Sequence, residues 1–129
     1  MANTATYKIG NIEKGNIMFW SVCTQCGSHG VVTLKDDQQT YFTAKKDTDD
    51  WNLQSLAQAY AIYQGGDNLR LEVEVTYPNA DIEQSINSYN ITDPSSNIVG
   101  YGYNYCIEDS TDNDYNDYYI DLVAWRKKG

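Results

Sequence analysis

The sequence predicts an all-β chain, an antiparallel β-sandwich of about eight or nine short strands. Three observations point there. Leu69, Leu71, Val73, Val75 and Tyr77 alternate with Arg70, Glu72, Glu74 and Thr76, the period of a half-buried strand. Several short β-type runs are separated by Gly-, Asn-, Asp- and Pro-containing turn signals. A hydrophobic segment, Tyr118 to Trp125, follows an acidic run near the end. Such runs allow a sandwich or a barrel; two sheets packed face to face would bury the alternating apolar positions.

Taken in order, Thr6 to Ile9 begins a strand that breaks at Gly10-Asn11. Asn16 to Val22 is a second strand, with large apolar residues on both faces, and Cys23 to Ser28 is a turn-rich loop. Gly30 to Lys35 and Thr40 to Thr43 are the third and fourth strands, separated by Asp36-Asp37. Lys45 to Asp50 reads as a charged surface loop. Between Trp51 and Tyr63, Leu53, Leu56, Ala57, Tyr60 and Ala61 fall at helical spacing, so the residues alone lean towards a helix. Gln64 to Asn68 is a turn, and Leu69 to Tyr77 is the best strand, ended by Pro78-Asn79. Ile82 to Thr92 is a further strand with a weak signal at Ile82, Ile86 and Tyr89. After the loop at Asp93 to Asn97, a strand alternating Tyr and Gly runs from Ile98 to Cys106.

Bulk properties bound the function. The 129 residues make a single domain, 1–129, with room for a core. A formal charge of -9 argues against nucleic acid or an anionic membrane as partner. No segment is apolar enough for membrane insertion as a spanning helix. The N-terminus lacks a basic region followed by an apolar stretch, so the expectation is synthesis in the cytoplasm without a signal peptide, any export using another route. The 3 cysteines, Cys23, Cys26 and Cys106, make no disulfide framework. They read as free or locally paired structural residues rather than a zinc or redox site.

The chemistry concentrates in Glu108-Asp109-Ser110-Thr111-Asp112-Asn113-Asp114-Tyr115-Asn116-Asp117. No Lys or Arg lies between Arg70 and Arg126. Clustered carboxylates repel at close range unless water or cations screen them. Carboxylate and amide oxygens suit calcium, magnesium or manganese, and calcium, with about 6–8 oxygens in irregular geometry, best suits a wrapping loop. The run is not an EF-hand: with Asp112 at the first position, the required Gly falls on Asp117 and the required Glu on Val123. A solvated acidic turn is the plain alternative.

This run, followed by a short strand, Trp125 and a final Gly129, resembles the bacterial calcium-dependent fucose- and mannose-binding lectins of the LecB type, the fucose-binding lectin II family. The resemblance implies two calcium ions per chain bridged by shared carboxylates. Glu108, Asp112, Asp114 and Asp117 would hold one ion, and Asp114, Asn116 and Asp117 the other. Sugar hydroxyls would replace waters on the pair, so Asp114, Asn116 and Asp117 also count as sugar-binding. Asp109 and Thr111 match positions beside the sugar, with ordinary turn formation the equal alternative. Thr24, Gln25, Cys26 and Gly27 fall where the family has a loop that supplies a main-chain calcium ligand, here Thr24, and tunes sugar preference. Asn and small polar residues usually precede that Gly in the family. Gly129 matches a terminal carboxylate that reaches a neighbouring subunit's site, although the tail Arg126-Lys127-Lys128 is basic and longer. The resemblance further implies a strand through 51–63, a glycan of fucose or mannose type as partner, and a homodimer or homotetramer.

No catalytic set emerges. His29 is the sole histidine, and carboxylates held by calcium would be poor proton donors. The chain therefore reads as a lectin rather than an enzyme, the alternative being a structural or adhesive sandwich that calcium only orders. Acidification should weaken calcium binding, because protons compete for the same oxygens.

Overall fold

A computed structural model describes residues 3–77, 81–108, 115 and 117–126. The described strands are β1 (Asn3–Lys8), β2 (Ile17–Thr24), β3 (His29–Lys35), β4 (Thr40–Lys46), β5 (Gln54–Ile62), β6 (Arg70–Tyr77), β7 (Glu83–Thr92), β8 (Ile98–Glu108) and β9 (Tyr118–Trp125). They form two antiparallel sheets, ordered β1-β6-β3-β4 and β5-β2-β9-β8-β7. No helix occurs among the described residues.

The alternating pattern drives the packing. On one sheet Leu71, Val73, Val75, Val32, Leu34, Phe42 and Ala44 are buried; on the other Met18, Trp20, Val22, Tyr105, Ile107, Ile120 and Leu122 are. Rings lock the layers together: Trp20 stacks on Phe42 with centroids 5.0 Å apart, and Tyr7 meets Tyr105 at 5.3 Å. Burial pushes the Tyr7 hydroxyl up to about 12. It still donates to Gln84 Oε1 at 3.1 Å, tying β1 to β7.

Three segments differ from what the residues alone suggest, each for a physical reason. Residues 54–62 are an edge strand, as the resemblance implies and the helical spacing does not. A register shift opposite Val22/Cys23 puts Leu56 and Ala57 side by side, both half-buried. That bulge breaks the period of two and imitates a helix. β4 runs on through Lys45 and Lys46, which the sequence assigns to a surface loop. Lys46 is only 2% exposed, its ammonium donating to the carbonyls of Ser28 (3.1 Å) and Thr48. β2 likewise extends through Cys23 and Thr24. The weak signal of β7 has its own cause: all its residues are exposed except Ile91, which is half-buried, so neither face needs a continuous apolar row.

At the end of the sandwich where β3 meets β4, buried Asp36 organises the turn. The Gln38 and Gln39 N–H groups donate to its Oδ1 at 2.8 Å each, and the Tyr41 hydroxyl to its Oδ2 at 2.9 Å. Burial pushes the carboxyl up, but these donors and the Arg70 charge together hold it below the ordinary carboxylate range. Its contribution is therefore complete above the unfolded value, about 4, and is lost as pH falls through the lower folded one. Asp36→Asn should cost about 1–3 kcal/mol at neutral pH. In urea unfolding, the gap from wild type should close in strong acid; a gap independent of pH would show that the charge plays no part.

Candidate metal and ligand site

The acidic run is the connection between β8 and β9. Its neck is closed by Ile107 pairing with Tyr118 and by the Asp117 N–H donating to the Ile107 carbonyl at 3.1 Å. β2 lies on the other side of β9, with Thr24 opposite Tyr118. The loop after β2 therefore emerges at the same end of the same sheet as the acidic run. Sheet topology alone brings together residues more than ninety positions apart.

Glu108 ends β8 fully buried, at 0% exposure, and Asp117 is 4% exposed. The Tyr115 N–H donates to Glu108 Oε2 at 3.3 Å. Tyr115 sits at φ 54, in the left-handed region, with its N–H on the Glu108 carboxylate. Its hydroxyl reaches Glu83 Oε2 at 3.3 Å. Burial first, then the Glu83 and Glu108 charges, raise the hydroxyl above the ordinary tyrosine value. Next to Asp117 in the chain, Tyr118 is fully buried. A side chain at Gly30 would collide with its hydroxyl, so β3 passes close to Tyr118 only because Gly30 has none.

The second loop is joined to the first by Thr24, whose hydroxyl donates to the Asp117 main-chain carbonyl at 2.6 Å. Thr24 and Cys26 are both buried, with Thr24 Oγ1 3.2 Å from Cys26 Sγ and Cys26 Sγ 3.1 Å from Ser28 Oγ. The Cys26 thiol thus faces inward and holds the loop's shape; the outward side chain is that of Gln25. A side chain at Gly27 would strike the Trp51 indole at 2.8 Å, so Gly27 allows the indole to lie against the loop. Lys46 braces the same loop through the Ser28 carbonyl. The three cysteines are free. His29 Nε2 lies 2.7 Å from Asp49 Oδ1.

The described structure thus brings together Glu108, Asp117, Thr24, Gln25, Cys26 and Gly27. Asp109, Thr111, Asp112, Asp114, Asn116 and Gly129 lie outside the described residues. Among those described, no three His, Cys, Asp or Glu side chains gather as a metal set. The donor chemistry of the described part fits a hard cation: the run is bounded by two buried carboxylates, Glu108 and Asp117, while the Cys26 thiol contacts Thr24 and the His29 imidazole contacts Asp49. Sequence reasoning missed Lys46, Trp51 and the part played by the Tyr115 ring. Only Trp51 left a signal, as a large apolar residue next to a charged loop.

No protein-family model matches the chain, and no curated protein matches it in sequence. Solved structures do match in fold. The C-terminal domain of the BC2L-C lectin from Burkholderia cenocepacia superposes with a TM-score of 0.64 at 17% identity, over 99% of this chain and 100% of that one. The Chromobacterium violaceum lectin CV2L, solved in complex with alpha-methyl-fucoside, gives a TM-score of 0.58 at 15% identity, over 95% of this chain and 96% of its own. The high-affinity mannose-binding lectin of Ralstonia solanacearum gives 0.59 at 15% identity, with the same coverage of 95% and 96%. The chain has the fold of these bacterial lectins.

Proposed function

We propose that this protein is a calcium-dependent lectin whose two bridged calcium ions chelate hydroxyls of fucose, mannose or a related sugar. The observation that carries the reading is the bond from the Thr24 hydroxyl to the Asp117 carbonyl. It fastens a candidate specificity loop to an acidic run headed by a sealed carboxylate, Glu108. The fold around it is shared with lectins, one of them holding a fucoside and another mannose-binding.

Glu108, Asp112, Asp114 and Asp117 would hold one ion; Asp114, Asn116 and Asp117, with the Thr24 main chain, would complete the second site. Shared carboxylates are needed there because two dications repel strongly at short range. When bound, calcium supplies exchangeable positions that vicinal sugar hydroxyls can fill. Asp109 would accept a hydroxyl hydrogen in a charge-assisted bond, and Thr111 would contact the sugar beside it. Gln25 presents the variable side chain of the specificity loop, on a scaffold shaped by Cys26 and Gly27.

Calorimetric titration with methyl α-fucoside and methyl α-mannoside tests the proposal. Heat in calcium that disappears after EDTA is the expected result. Calcium-raised thermal stability without heat from either sugar would favour a calcium-ordered structural or adhesive sandwich instead.

The reading extends to a homodimer or homotetramer. Two apolar rows cross the outer face of the five-stranded sheet: Ile62, Ile17, Trp125 and Ile91, then Tyr60, Phe19, Val123 and Tyr89. Tyr60 is 76% exposed, and Tyr89 lies where Gly102 leaves space for its ring. A solvated sheet face is normally polar, so this half suits a second copy. Sedimentation should show an oligomer that Tyr60→Asp combined with Trp125→Asp dissociates; a monomeric wild type would remove the oligomer from the proposal.

A further inference from the structure

Beside the candidate site lies an open cavity of about 340 Å³, lined by Cys23, Thr24, Gln25, Leu53, Tyr115 and Tyr119. Three of its walls belong to the site already described: Thr24 and Gln25 from the specificity loop and Tyr115 from the acidic run. The other three are apolar or weakly polar and come from β2, the approach to β5, and β9. Among the described residues, no Asp, Glu, Lys or Arg lines it. Its volume lies at the low end of the ~300–1,000 Å³ range of ligand pockets, enough for one ring rather than an extended chain.

Both tyrosines are held by their hydroxyls. Tyr119 Oη accepts from Asn104 Nδ2 at 2.6 Å, and Tyr115 Oη donates to Glu83. With the phenol oxygens engaged there, the rings turn apolar surface to the cavity at little further entropic cost. Leu53, 70% exposed, adds an aliphatic side chain to the same lining. A flat body with one C–H face and hydroxyls around its rim matches this lining, and a pyranose ring is such a body.

We infer that the cavity is a second subsite, which takes the sugar residue glycosidically joined to the one on the calcium pair and seats it by its C–H face. This rests on the sugar reading above: Thr24, Gln25 and Tyr115 of the candidate site also line the cavity, so the two subsites would adjoin. Specificity for a glycan would then be divided. Hydroxyl stereochemistry is read at the acidic run, and linkage is read by whether the next ring reaches Leu53 and Tyr119.

The test is calorimetry in calcium. Methyl α-fucoside and methyl α-mannoside are compared with disaccharides that carry fucose or mannose at the non-reducing end through different linkages. Wild type, Leu53→Asp and Tyr119→Ala are measured in parallel. At least one linkage should bind about three- to tenfold more tightly than the methyl glycoside. Each variant should bring that ratio close to one and leave methyl glycoside affinity unchanged. Methyl glycosides that bind with no gain from any linkage would overturn the subsite alone, as would a gain that survives both variants. Leu53→Asp dissociating an oligomer in sedimentation would also overturn it, since a second copy would then be the occupant. If no sugar binds at all, the lectin reading fails first and the subsite fails with it.

Discussion

Asp114→Ala should abolish measurable sugar binding and lower calcium affinity by about two to four orders of magnitude. The size follows from its assignment to both ions. Removing one partner of a closely held charge pair costs about 3–5 kcal/mol, and each tenfold in affinity is about 1.4 kcal/mol. On the proposed reading the sugar would be held through the metal pair, so it would lose its site when the pair is lost. The calcium-free fold should not suffer. A run with five carboxylates between Glu108 and Asp117 loses one repelling charge, so the variant's melting temperature in EDTA should equal or exceed that of wild type. That second measurement separates a lost site from a misfolded protein. Asp114→Asn, which keeps an oxygen but not the charge, should fall between the two. Calcium-dependent sugar binding that persists in Asp114→Ala would show the bridged assignment to be wrong.

Calcium should also stabilise the wild-type fold strongly. A ligand that binds only the native state adds about 2.7 kcal/mol at a hundred times its Kd. For a domain of this size that corresponds to a rise in Tm on the order of 10 °C. Two features would make the chain sensitive to the ion. Its formal charge of -9 leaves the metal-free form self-repelling. The buried carboxylates of Glu108 and Asp117 stand at the neck of the run, where a cation would draw β8, β9 and the Thr24 loop together. Magnesium at the same concentration should do much less, because it demands a stricter octahedron and keeps its waters. Thermal scans in EDTA, calcium and magnesium check this; equal curves in all three would remove the metal from the account.

Much of the fold was legible because it depends on local periodicity. Leu71, Val73 and Val75 point inward together, and their alternation with charged neighbours in the chain is enough to assign them one face. The Tyr-Gly pattern of 98–106 was legible as strand, but its reason was not. Gly102 is there because the Tyr89 ring lies over it from the next strand. β5 was misleading because one bulge imitates the spacing of a helix. Lys46 was misplaced because a lysine's burial depends on which carbonyls it meets, and those belong to Ser28 and Thr48.

The same division holds for the site. The oxygen-rich run from Glu108 to Asp117 was legible by composition, since hard ligands can be recognised one residue at a time. So was the candidate loop at Thr24 to Gly27, through resemblance. What the sequence by itself determined is the all-β class, the acidic run and the donor chemistry, all carried by neighbouring residues. Only the tertiary structure decided that β2, β9 and β8 lie side by side. It also decided that Thr24 bonds to Asp117, that the Cys26 thiol faces inward, and that Leu53 and Tyr119 share a cavity with Tyr115. The physical reason is strand order: pairing in a sheet joins residues distant in the chain, and no local pattern encodes which strand will be the neighbour.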